Sequence, residues 1–150
     1  MAVKLQKQAN DHRPEDGIWG DCHRTAYAMA LGLDRDTVPH FMDCGVSWEK
    51  ANDDTRKWLS TIGLNEITFP VTGGSPRDVL DSWKVFAPDV PLVLGGMSRT
   101  GVGHSVCVFN GEIFDPSTKD SGIIGPMEDG YYWLTFFVPI RPATLTLKGE

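Results

Sequence analysis

The sequence predicts a single α+β domain, helices first and an antiparallel sheet second. Three observations carry this expectation. Up to residue 87 the apolar residues recur mainly at helical spacing, beyond residue 90 they alternate with period two, and Asn110-Gly111 sits between two β-rich runs. A chain of 150 residues is long enough to bury one core without metal or disulfide staples.

Each element has a local reason. Residues 1–19 read as an extended or looped lead-in punctuated by Pro14 and Gly17. Asp21 is placed as an N-cap for a helix with Cys22, Ala26, Met29, Ala30 and Leu33 along one stripe, broken at Gly32. The two alanines let another element approach closely. After a turn at Pro39, Ser47 opens a second helix with Trp48, Ala51, Thr55, Trp58, Leu59 and Ile62 on its inner side, ended by Gly63. "EITFPV" (66–71) is a short strand, and Ser75, with Pro76 and Asp78 behind it, opens a third helix. Strands are expected over 90–96, 104–109, 112–116 and 131–140, and "RPATLTLKGE" as a loose tail or edge strand.

The net charge is −6, with no stripe of Lys and Arg, which disfavours counterion-release binding to nucleic acid. No apolar run approaches the roughly 20 residues needed to span a bilayer, and the polar start "MAVKLQKQANDHRPEDG" lacks the apolar core of a signal peptide. A cytoplasmic chain without a membrane partner is expected, with Cys22, Cys44 and Cys107 as reduced thiols.

The hairpin carries the most chemistry. A two-residue turn at Asn110-Gly111 sets Phe109 opposite Glu112, Val108 opposite Ile113, Cys107 opposite Phe114 and Val106 opposite Asp115. His104 and Asp115 then share a sheet face as diagonal neighbours, while Cys107 points to the other face. If the Cys22 helix packs its alanine-lined stripe on the His104 face, a thiol at a helix N-terminus, an imidazole facing it and a carboxylate orienting the imidazole converge. Helix-terminal N–H groups and an imidazolium favour the thiolate. The imidazole can protonate a leaving group, and the carboxylate sets its tautomer. The Cys22 N–H is a candidate oxyanion donor.

These two blocks, "GDCHRTAYAMALGLDRDTVPHF" and "SRTGVGHSVCVFNGEIFDPSTKDSGI", resemble small phage and bacterial papain-like cysteine-peptidase-fold proteins, similar in layout to the peptidase domains of bacteriocin-processing exporters. The resemblance spans residues 8–124. It implies Cys22 as nucleophile, His104 as base, Asp115 as orienting residue, and an upstream glutamine as side-chain oxyanion donor. Asp16 stands where the commonest papain-like spacing has that glutamine, so the donor is sought at Gln8, with Gln6 as the alternative. Trp19, Gly20, Asp21, Ser98, Arg99 and Gly103 flank these groups and are the candidate substrate contacts, with "GGMSRTGVGH" as a loop at the cleft rim.

The expected function is a cysteine hydrolase, a peptidase or isopeptidase needing no cofactor, acting on a peptide, protein or small-molecule substrate. Two alternatives stand beside it: a non-catalytic phage binding protein on the same scaffold, and a hydrolase of a small host-defence signalling molecule in the host cytoplasm. Metal binding is disfavoured, because Cys22, His23, His40, Cys44 and His104 include no Cys-x-x-Cys pair.

Overall fold

A computed structural model describes residues 2–140. The described residues hold α1 (Cys22–Leu31), α2 (Trp48–Thr61), β1 (Leu64–Val71), α3 (Pro76–Phe86), β2 (Leu92–Met97), β3 (Gly103–Phe109), β4 (Glu112–Phe114) and β5 (Tyr132–Pro139). The class is α+β: one antiparallel five-stranded sheet, ordered β1-β5-β2-β3-β4. The expected tail strand at 141–150 lies outside the described residues.

Helix boundaries follow their punctuation. Gly32 ends α1 in the left-handed region at φ 69°, which glycine adopts without a Cβ penalty. Ser47 and Ser75 cap α2 and α3, their side chains accepting from Lys50 N–H and Asp78 N–H. Asp21 departs from expectation. It sits at the N-cap position of α1, but its side chain accepts from no backbone N–H of the first turn. Two other donors engage the carboxylate instead, Asn10 N–H at 2.8 Å and Arg24 Nε at 2.9 Å.

The inner side of α2 also differs. Ala51, Thr55 and Leu59 are buried, but Trp48 is 55% and Ile62 45% exposed. Both lie at helix ends, beyond the stretch that meets the core. Pro70 is tolerated inside β1 because β1 is an edge strand, where a missing N–H breaks no ladder.

The hairpin has the expected register, Phe109 to Glu112, Val108 to Ile113 and Cys107 to Phe114. Asn110 and Gly111 have φ of 52° and 75°, the pair of positive values a type I′ turn requires. β4 is shorter than expected, because past Phe114 the Asp115 carboxylate accepts from Ser117 N–H and Gly122 N–H and curls the chain away.

The two faces of the sheet carry separate cores. One holds Val93 and Cys107 against Ala26, Met29 and Ala30 of α1, with Leu59 of α2. The other holds Leu94, Val106, Val108 and Leu134 against Val79 and Leu80 of α3. This corrects the expected packing: α1 lies on the Cys107 face, not the His104 face. The alanine-lined stripe is what lets α1 approach closely, and it finds its complement in Val93, Cys107 and the flanking Phe114 and Phe137. Segment 121–125 instead lies against the opposite face. A Cβ on Gly96, which pairs with His104, would come within 2.5 Å of Ile123 Cγ2 and 2.7 Å of Gly125 O.

Candidate active site

The hairpin delivers His104 and Asp115 to one place. His104 Nε2–H donates to Asp115 Oδ1 at 2.7 Å. Asp115 is itself held by the two backbone N–H groups, Ser117 at 2.9 Å to Oδ1 and Gly122 at 2.9 Å to Oδ2. Burial opposes ionisation of this carboxyl, but the His104 and backbone hydrogen bonds hold it below its ordinary range. An acceptor bonded on both oxygens cannot swing, so the imidazole it holds is fixed in orientation.

Cys22 is a neighbour of the same imidazole, close enough to favour its charged form. Nε2 is engaged by Asp115, which leaves Nδ1 as the nitrogen available to the thiol. The meeting occurs although α1 lies on the opposite face. β4 pairs only with Cys107–Phe109, so it leaves the sheet edge beside His104 unpaired. Burial alone would lower the basicity of His104. The hydrogen bond to Asp115 and the neighbouring Cys22 overcome it and raise the pKa from 6.5 to about 9. The raised value favours the imidazolium at neutral pH, with the Asp115 carboxylate on Nε2.

The other two cysteines differ in kind. Cys107 is fully buried, and burial pushes its thiol up to about 12. Cys44 is exposed and sits at φ 59° in a short turn, its N–H bonded to Asp43. Only Cys22 combines partial exposure with an imidazole neighbour.

The lead-in closes the site from the other side. Gln8 N–H donates to Pro116 O at 2.8 Å, directly beside Asp115. Its Nε2 donates to Asn10 O at 2.7 Å, and that same carbonyl accepts from Asp21 N–H at 3.4 Å. Between them the chain loops outward through a 3-10 turn at Pro14–Asp16 and returns, Gly20 N–H bonding His12 Nδ1. Gln8 is thus stitched between the residue after Asp115 and the residue before Cys22. Among the described residues Gln8 Oε1 is buried with no partner, and Nε2 has no acceptor besides Asn10 O. The Cys22 N–H, first in the helix, likewise donates to nothing among the described residues. Gln6 is elsewhere, bonded through Nε2 to Leu33 O and through Oε1 to Arg35 N–H, past the far end of α1.

The flanking candidates divide. Gly20 packs so closely on His12 that a Cβ would meet it at 3.0 Å. Trp19 is half-buried, its indole over Gly45 and its carbonyl accepting from His40 Nε2 at 3.0 Å. Gly103 is exposed at the start of β3, beside Met127. Two candidates are buried. Asp21 is fully buried with both carboxylate oxygens engaged, which ties lead-in to helix. Ser98 is 1% exposed, its hydroxyl bonded to Val102 O and Thr100, and it braces the rim loop from inside. Arg99 is exposed but directs its guanidinium to Asp120 O at 3.0 Å, clasping the loop that holds Asp115.

Sequence reasoning missed a cavity of about 610 Å³ that opens on the α1 face of the sheet. His23, the residue after Cys22, and Ser105, the residue after His104, both line it, as do Tyr27, Trp48, Glu66 and Trp133. These residues come from two helices and three strands, and no local pattern links them. The only signal was the adjacency of His23 and Ser105 to the candidate pair.

No group of three or more His, Cys, Asp or Glu side chains is placed to hold a metal ion among the described residues, and no described helix is long and apolar enough to cross a membrane. Comparison with family models, curated proteins and solved structures finds no match.

Proposed function

We propose that the protein is a cysteine hydrolase with a papain-like layout, cleaving a peptide or isopeptide amide bond. The observation that carries the proposal is the His104–Asp115 hydrogen bond at 2.7 Å, with Cys22 near enough to help keep the ring charged. Papain-like peptidases, including those of bacteriocin-processing exporters, are built on the same combination of a helix-start cysteine and a histidine on the sheet.

The chemistry follows from the charges. The Cys22 thiolate attacks the carbonyl carbon of the scissile amide, forming a C–S bond and moving the carbonyl π pair onto oxygen. The Cys22 N–H and a Gln8 Nε2–H are the donors for that oxyanion. Collapse breaks the C–N bond, and the His104 Nδ1 proton passes to the departing amine. A water then attacks the thioester with His104 accepting its proton, releasing the acid and regenerating the thiol. Asp115 stays ionised throughout and keeps Nε2 protonated, so that Nδ1 does the proton transfer.

Sub-stoichiometric iodoacetamide at pH 6.5, with the adduct mapped by mass spectrometry, tests this. Cys22 is expected to carry the label. Preferential labelling of exposed Cys44, or of buried Cys107, overturns the nucleophile assignment.

A further inference from the structure

The cavity beside the dyad carries charge as well as apolar surface. Glu66 lines it with a side chain only 4% exposed. Its Oε2 accepts from Tyr27 OH at 2.6 Å. Its Oε1 accepts no hydrogen bond among the described residues, and Arg56 Nε stands off at 4.0 Å. Oε1 is not one of the fully buried unpartnered atoms, so it keeps access to the cavity, where a donor can complete it. Arg56 completes it poorly: the contact is at the limit of an ion pair and the guanidinium is mostly in solvent.

The walls suit a cation. Trp48 and Trp133 line the cavity, and indole faces attract cations that approach within about 6 Å. Asp129 adds a second carboxylate to the lining, against the single guanidinium of Arg56. His23 also lines the cavity and brings no competing positive charge. Burial and then repulsion from His40 lower its pKa to about 4, so the ring is neutral at physiological pH, with Nδ1 buried and unpartnered.

We propose that this cavity is the specificity pocket of the site and receives an extended cationic side chain of the lysine or arginine type, its charged end on Glu66 and its stem between the two indoles. Position supports the link to the chemistry. His23 follows Cys22 and Ser105 follows His104, and consecutive Cα atoms are about 3.8 Å apart. Cys22 and His104 do not line the cavity themselves, so it lies next to the pair, one residue along each chain segment. The assignment of the pocket to a substrate side chain rests on the hydrolase proposed above; the selectivity of the pocket for a cation does not.

The test is a binding measurement that needs no thiol. Nα-acetyl-lysine methylamide and its uncharged isostere Nα-acetyl-norleucine methylamide are titrated into the Cys22→Ala protein and followed by NMR shifts of the Trp indole N–H groups. The lysine probe is expected to bind at least tenfold more tightly, Glu66→Gln to erase the difference, and Arg56→Gln to widen it by removing a competing cation. Should Glu66→Gln fail to fold, Arg56→Gln, which alters an exposed side chain, decides alone. Equal binding of the two probes, no binding of either, or weaker lysine binding in Arg56→Gln overturns the pocket. Each of those results leaves the labelling of Cys22 untouched, and loss of selective labelling leaves the binding ratio untouched, so the two proposals fail separately.

Discussion

His104 and His23 are buried imidazoles next to the same thiol, one on the sheet and one next in the chain, and they are tuned in opposite directions. His104 rises to about 9 and His23 falls to about 4. Burial penalises the charged ring in both. The difference is the partner. His104 has an ionised carboxylate at 2.7 Å, itself clamped by two backbone N–H groups. His23 stacks on Tyr27 at 4.2 Å between ring centroids and has no acceptor for Nδ1. One region of the molecule is thus built to hold a proton at neutral pH, and the other to refuse it.

The largest expected effect comes from breaking the first of these regions. An imidazolium beside a thiol favours the thiolate that alkylates. His104→Ala is expected to slow alkylation of Cys22 at pH 6.5 by more than about tenfold, read as a second-order rate by mass spectrometry. His23→Phe, which removes a ring that stays neutral, is expected to change the rate by less than about threefold. Equal losses in the two variants would erase the distinction.

Asp115→Asn sharpens the cause. An amide in place of the carboxylate removes the charge that offsets burial, so the His104 titration, followed by NMR of its ring carbon proton, is expected to move from about 9 in the wild type to well below that value. Alkylation at pH 6.5 should slow by roughly tenfold, less than in His104→Ala, because the imidazole remains in reach. A titration unmoved by Asp115→Asn would show that Cys22 alone sustains the shift.

Stability against pH should split the same way. The folded pKa of His104 lies above its ordinary 6.5. It therefore stabilises the fold fully below 6.5, and the contribution is lost as pH rises through about 9. For His23 the folded value lies below 6.5, so its contribution is present above 6.5 and is lost as pH falls towards about 4. Thermal unfolding of wild type compared with His104→Ala should narrow on the alkaline side, and compared with His23→Phe on the acid side, each by an amount on the order of 2 kcal/mol. Parallel curves in either comparison would contradict the assigned direction.

Much of this was legible in the sequence because it is local. Asn110-Gly111 dictates a turn through two positive φ values, the turn dictates the register, and the register brings His104 and Asp115 to one face. Which face of the sheet α1 covers was not legible. Ala26 and Ala30 permit close approach to either side, and the choice depends on Val93, Phe114 and Phe137, far along the chain. Asp21 looked like a cap because Asp favours that position, but Asn10 and Arg24, whose proximity only the folded lead-in creates, compete successfully for it. The Glu66 cavity was invisible for the same reason, since its lining residues come from elements spread between residues 23 and 135.

The smallest effect tests the thiol on the far side of that misjudged packing. Cys107 and Cys22 lie on elements that touch, yet Cys107 is sealed between α1 and the sheet with no polar partner, and its thiol is pushed up to about 12. It behaves as a small apolar side chain. Cys107→Ala removes one buried sulfur, and the close-packed alanines of α1 leave the surroundings little freedom to collapse into the space. The expected cost is about 1 kcal/mol of unfolding free energy in a denaturant titration, with the rate and site of Cys22 alkylation unchanged. A drop in Cys22 reactivity in that variant would mean that the packing of α1 on the Cys107 face sets the position of the thiol against His104, and that the two sides of the sheet are coupled through the helix.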